Sequence, residues 1–131
     1  MVAVMLIGLG LLSGAGVVIA LYRRQRQAVQ RAGQMLLQAT EAGDIVQMQA
    51  LLASGAAVNA RNAHGWTPLH VAAAGGDAAV IALLLHHGAD VHAQSHIGTT
   101  PLDNATTRGG RKAVIDLLLA HGAKGAWDEP F

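Results

Sequence analysis

The sequence predicts an all-α solenoid of three helix-turn-helix repeats with short hairpin fingers, preceded by one transmembrane helix. Three observations predict it. Thr67-Pro68-Leu69-His70-Val71-Ala72 recurs 33 positions later as Thr100-Pro101-Leu102, with Ala105 matching Ala72. Behind each run stand a leucine triplet (83–85 and 117–119) and a Gly-Ala pair (88–89 and 122–123). Finally, residues 1–22 contain no charged side chain, whereas Arg23, Arg24, Arg26 and Arg31 crowd immediately after them.

Each residue type in the repeat has a physical reason to be there. Thr67 and Thr100 offer an N-cap oxygen, and Pro68 and Pro101 suit the first helical turn, where a missing N–H costs nothing. Ala72-Ala73-Ala74 lets two helical layers approach closely. Gly75-Gly76 ends the short helix and permits a tight reversal. Asp77 can cap the returning helix, whose apolar Val80, Ile81, Leu84 and Leu85 fall at helical spacing. Gly88 and Gly122 read as left-handed stops. Asp90-Val91 and the polar residues up to Gly98 form the extended finger leading to the next repeat.

The same shift taken backwards from Leu69, Ala72, Gly76-Asp77 and Leu84-Leu85 lands on Leu36, Ala39, Gly43-Asp44 and Leu51-Leu52, which defines a first repeat without the Thr-Pro. In the third repeat the leucine triplet lies 34 positions after the second, placing a one-residue insertion within Arg108 to Lys112. Period and opening motif together resemble the ankyrin repeat. The predicted organisation is a transmembrane helix at 1–22, a basic juxtamembrane helical linker at 23–33 with its first break at Gly33, repeats at 34–63, 64–96 and 97–124, and a C-terminal tail at 125–131.

Twenty-two residues at about 1.5 Å each reach roughly 33 Å, enough for a hydrocarbon layer of about 30 Å. Eleven of the 22 are Leu, Ile or Val, and Ser13 alone cannot outweigh them. A cleaved secretory signal needs a basic stretch before the apolar run and a shorter apolar core; no Lys or Arg precedes this one. Positive charge is retained on the cytoplasmic side, so the expected topology is single-pass, N-terminus outside and repeats cytoplasmic. Export of the repeats to the periplasm is the alternative. Gly10-x-x-x-Gly14 places two small residues on one helical face, which suits a helix–helix contact or homodimer within the membrane.

Composition excludes several chemistries. The absence of cysteine removes disulfides, thiolate metal sites and cysteine nucleophiles. Of nine basic residues four lie at 23–31, leaving five against eight acidic ones elsewhere, a balance that argues against a nucleic-acid face. Seven histidines invite a metal reading, especially His86-His87 with His92 and His96. Adjacent histidines near a helix end diverge, however, and no i, i+4 pair puts two ligands on one helical face, since His92 and His96 fall in the extended finger. His92 occupies the finger position that Asn59 holds in the first repeat. Ser54 and Ser95 lack a glycine-bounded elbow with base and acid in register. The reading is therefore a non-enzyme with no cofactor and no metal. His70 is structural, bonded to backbone at its helix start, and its replacement by Asp103 in the third repeat departs from the pattern.

What the resemblance implies is a protein-protein interaction module whose partner docks on the finger tips and on the exposed positions of each first helix. Carried onto this chain, the tips are Arg61, Asn62, His64 and Trp66, then Gln94, Ser95, His96, Ile97 and Thr99; the helix positions are Val71, Ala74, Asn104, Thr107 and Arg108. Trp66 has the chemistry of an interface hot spot, and Trp127 either folds over the last repeat or forms part of a docking peptide. The expected function is an adaptor or accessory subunit that presents these repeats to another protein, itself membrane-associated. The alternative is a subunit of a membrane complex held mainly by its transmembrane helix.

Overall fold

The structure, a computed structural model, describes residues 14–107, 109 and 111–123. Among them are six helices and no strand: α1 (Gly14–Ala42), α2 (Ile45–Ala53), α3 (Pro68–Gly75), α4 (Ala78–His86), α5 (Pro101–Thr107) and α6 (Lys112–Ala120). They pair as α1–α2, α3–α4 and α5–α6. α1, α3 and α5 pack side by side in one layer, and α4 packs on α6 in the other.

The start and stop signals act as their chemistry requires. Thr67 caps α3 reciprocally with His70, and Gly76 ends that helix with φ of 74°. Asp44 and Asp77 cap α2 and α4 through bonds from Gln47 N–H (3.1 Å) and Ala79 N–H (3.0 Å). Every second helix ends alike: Ala56, Ala89 and Ala123 donate their N–H groups to the carbonyls of Leu51, Leu84 and Leu118, each at 3.0 Å. Such a bond reaching five residues back is the Schellman closure, and it requires a left-handed residue between. Gly55, Gly88 and Gly122 supply it. Leu36, Met48, Leu69, Ile81, Leu84 and Leu118 are fully buried between the layers, so the core is aliphatic throughout.

The predicted break at Gly33 is corrected by the structure. α1 runs unbroken through it, and Gly33 is buried. A Cβ there would stand 2.7 Å from Ala60 Cβ, so glycine serves close approach between α1 and the base of the first finger. From Gly33 to Thr40 the helix buries one face as the opening helix of the first repeat. N-terminal to Arg31 it is almost wholly exposed, Val18, Ile19, Leu21 and Tyr22 included. Among the described residues no helix is long and apolar enough to cross a membrane. The predicted transmembrane helix falls mostly on residues 1–13, which lie outside the described residues, as do Gly10 and Trp127. Gly14, the other member of the glycine pair, is the first described residue of α1, and a Cβ added there would meet no atom of the described residues within 4 Å.

Candidate protein-docking surface

The fingers are tight turns held by their own polar side chains. In the first, Asn62 Oδ1 accepts from the N–H groups of His64 (2.9 Å) and Trp66 (3.0 Å), and Asn62 N–H donates to the Trp66 carbonyl at 3.0 Å. The second repeats this with a shorter side chain. Ser95 Oγ accepts from Ile97 and Thr99 N–H and lies 2.7 Å from Thr99 Oγ1, while Ser95 N–H donates to the Thr99 carbonyl at 2.9 Å. Adjacent fingers are then stitched together. Arg61 Nη1 donates to the Gly65 carbonyl (2.8 Å) and across to the Gln94 carbonyl (2.6 Å), and His96 N–H donates to the His64 carbonyl (3.1 Å).

His70 sits beneath the first finger, fully buried. Its Nδ1 accepts from Thr67 N–H at 3.2 Å, which leaves the proton on Nε2 to donate to the Thr99 carbonyl at 2.8 Å. Burial, above all, holds this imidazole below its ordinary pKa; the Thr99 carbonyl opposes that, the Arg61 charge adds to it, and Asp103 opposes it. Trp66 stacks over the ring, centroids 6.4 Å apart and planes within 16°. At the corresponding position of the third repeat Asp103 Oδ2 accepts from both the N–H (2.9 Å) and the Oγ1–H (3.0 Å) of Thr100. A carboxylate thus does for Thr100 what the imidazole does for Thr67.

The predicted site residues separate into two groups. His64, Gln94, His96, Ile97 and Thr107 are exposed, Ile97 to 85%, and Trp66, Val71, Ala74 and Thr99 are half-buried. Arg61 and Asn62 are accessible, but their polar atoms serve the finger itself. The expectation of a solvent-facing side chain does not hold for Ser95 and Asn104. Both are buried, Ser95 inside its own turn and Asn104 against the layer, where its Nδ2 donates to the His70 carbonyl at 3.4 Å. Thr107 turns its hydroxyl back to the Asp103 carbonyl. Arg108 lies outside the described residues.

Of the accessible members, Asn62, His64, Trp66, Val71, Ala74, His96 and Ile97 line an open groove of about 740 Å³ between α1, α3 and the two fingers, whereas Arg61, Gln94, Thr99 and Thr107 do not. Trp66, Val71, Ala74 and Ile97 form one side; Gln34, Leu37, Gln38 and Glu41 of α1 form the other. Those four α1 residues were not singled out from the sequence. The signal was present: Gln38 and Glu41 stand one repeat period before Val71 and Ala74. Among the described residues no three His, Asp or Glu side chains gather as a metal site.

A family profile described as ankyrin repeats (3 copies) matches residues 36–126. No curated protein sequence matches the chain. The profile covers more than half of the sequence and coincides with the three helix pairs, their finger turns and their shared Schellman closures, so the chain belongs to the ankyrin-repeat family of protein-binding modules.

Proposed function

We propose that this protein is a membrane-anchored adaptor or accessory subunit, presenting its repeats at the cytoplasmic face to another membrane-associated protein. The observation that carries the binding part is the groove, where apolar Trp66, Val71, Ala74 and Ile97 lie open opposite the amides of Gln34 and Gln38. Ile97 at 85% exposure has no folding role that would place it there, and an aromatic beside it supplies a hot spot's buried area at little entropic cost. The anchoring part rests on sequence: the uncharged run at 1–22 and the arginine cluster that follows it. Because α1 continues from the cluster into the first repeat, an anchored chain would hold the groove close to the bilayer. Confinement raises effective concentration toward neighbouring membrane proteins without high intrinsic affinity.

A photo-crosslinking residue at Ile97 or Gln38 of the full chain, expressed in cells, tests the groove. A defined adduct is expected from both positions and not from Val46, an exposed apolar residue on α2. Equal labelling from Val46 would refute the reading. Fusions at the C-terminus test the anchor: a fluorescent protein should be active and alkaline phosphatase silent, and the reverse pattern moves the repeats to the periplasm.

A further inference from the structure

α1 carries a second feature that adaptor binding alone leaves unused. Arg23, Gln27, Gln30, Gln34, Gln38 and Glu41 follow one another at steps of four or three residues, the spacing of a single helical face. That face borders two hollows. The groove described above holds the apolar side chains; the other, of about 950 Å³, lies between α1 and the base of the first finger and is lined by Gln27, Arg31 and Arg61 among others, with no acidic residue. Gln34 and Gln38 line both, so the hollows form one strip with a basic end and an apolar end. Arg61 gives two hydrogen bonds to carbonyls, which neutralise no charge, and no acidic residue precedes Glu41 in the chain. From Gln27 to Glu41 the strip is about 21 Å long, which six or seven extended residues cover at about 3.3 Å each.

A matching segment exists in this chain. Trp127-Asp128-Glu129-Pro130-Phe131 places two carboxylates between two aromatic rings. The whole sequence has two Trp, one Tyr and one Phe, so half of its aromatic residues stand in these five positions, and a third, Trp66, stands in the groove. We propose that residues 125–131 of a second copy occupy the strip, Asp128 and Glu129 against Arg31 and Arg61 and the Phe131 ring against Trp66 and Ile97. Proline favours the extended backbone that a strip of this length accepts. The occupant is a neighbour's segment because α1 and α6 lie at opposite ends of the stack. Two repeat widths at roughly 8–10 Å each equal the full stretch of the five residues from Ala123 to Asp128, about 17 Å. A chain's own segment would arrive with no slack; a neighbour's arrives free. Such contacts are head-to-tail and self-limiting only if they close a ring. The groove is then regulated by the protein's own concentration, an inference that rests on the groove being a docking site at all.

The test is self-association of the full chain in mild detergent, followed by sedimentation velocity across concentration and salt. Arg31→Glu and the pair Asp128→Lys with Glu129→Lys should each weaken association roughly three- to tenfold, and the three changes together should restore it. A fluorescent peptide of residues 125–131 should bind the lysine-substituted chain and dissociate as salt rises. Association that survives the lysine pair unchanged, a monomer at every concentration, or a triple variant that stays weakened each overturns the proposal. If the peptide fails while Ile97 still crosslinks to a different protein, the groove stands and this occupant falls; if neither happens, both fall.

Discussion

The second and third repeats open with the same Thr-Pro-Leu and then differ, His70 in one and Asp103 in the other. Both side chains accept the N–H of the threonine three residues before, so both complete the cap. Only the imidazole has a second nitrogen, and His70 uses it to hold the Thr99 carbonyl of the next finger. At the third repeat the carboxylate keeps the capping half of this pattern, accepting from both Thr100 groups. Solvent completes the account: Asp103 is half-buried, whereas His70 is fully buried, and an ionised carboxylate there would carry a desolvation cost of several kcal/mol. The motif therefore contains two separable functions, capping a helix and bonding one repeat to the next.

Substitution separates them most strongly at His70. His70→Leu leaves the buried Thr67 N–H without its acceptor and the Thr99 carbonyl with Ser95 N–H alone, and should cost about 2–4 kcal/mol, read as a lower urea midpoint. Asp103→Leu loses the cap to Thr100 without touching a bridge to the next finger, and the cap accounts for about 1–2 kcal/mol of its cost. A loss at His70→Leu of about 1 kcal/mol, no more than a cap alone supplies, would show that the bridge to Thr99 contributes nothing.

The same distinction between a position with a neighbour and one without applies to the finger glycines. Gly65 and Gly98 hold equivalent places in successive fingers and share left-handed backbone, φ of 76° and 83°. A Cβ at Gly65 would stand 2.5 Å from His96 Cδ2 and 2.9 Å from its backbone nitrogen, while one at Gly98 meets nothing within 4 Å. Gly98→Ala should cost only the left-handed strain, about 1–2 kcal/mol. Gly65→Ala should cost more and, unlike Gly98→Ala, should shift the His64 and His96 resonances, since it forces the two fingers apart.

Acid should remove the acceptor that His70 Nδ1 offers to Thr67 N–H, while the Nε2–H donor to the Thr99 carbonyl stays in place. The His70 pKa is lowered by folding, so the unfolded chain binds more protons near and below the ordinary value of 6.5, and stability rises with pH there. The contribution is complete above that value and declines as pH falls through it toward the folded pKa. Thermal midpoints measured from pH 8 to pH 5 should drop in the native chain, with the corresponding part of the drop missing from His70→Leu. A native profile with no decline would mean that losing the Nδ1 acceptor on protonation costs the fold nothing.

How much of this was legible depends on whether a position acts locally or through a neighbour. Thr67, Pro68, Gly76, Asp77 and Gly88 bond within their own helix ends, and sequence periodicity locates them correctly. Gly33 looks like a break until Ala60 is brought against it. Ser95 and Asn104 look exposed because the template marks their positions as variable; Ser95 is drawn into its turn by Thr99, and Asn104 is covered by the preceding helix of its layer. The α1 side of the groove was missed for the opposite reason. Without a Thr-Pro to flag it, Gln34 to Glu41 does not look like a docking helix until it lies across from Trp66.

The smallest effect distinguishes the third repeat from its predecessors at the second helix. Asp44 and Asp77 cap α2 and α4, whereas Arg111 stands at the cap of α6 and makes no side-chain cap bond. The inserted residue has changed which side chain reaches that place. Arg111→Asp should supply the missing acceptor and stabilise by about 0.5–1 kcal/mol, since a carboxylate at a helix start also meets a favourable dipole. The gain is reduced by what the arginine already does: its stem lies about 3.8 Å from where a Gly76 Cβ would be, close enough to cover the turn that ends α3. Gly76→Ala in the Arg111→Asp background would separate the two contributions, because removing the stem opens space there while leaving the backbone strain at φ of 74°. If Arg111→Asp gains nothing in urea denaturation, the stem's packing offsets the cap, and the third repeat has exchanged an intrahelical bond for a contact with the second.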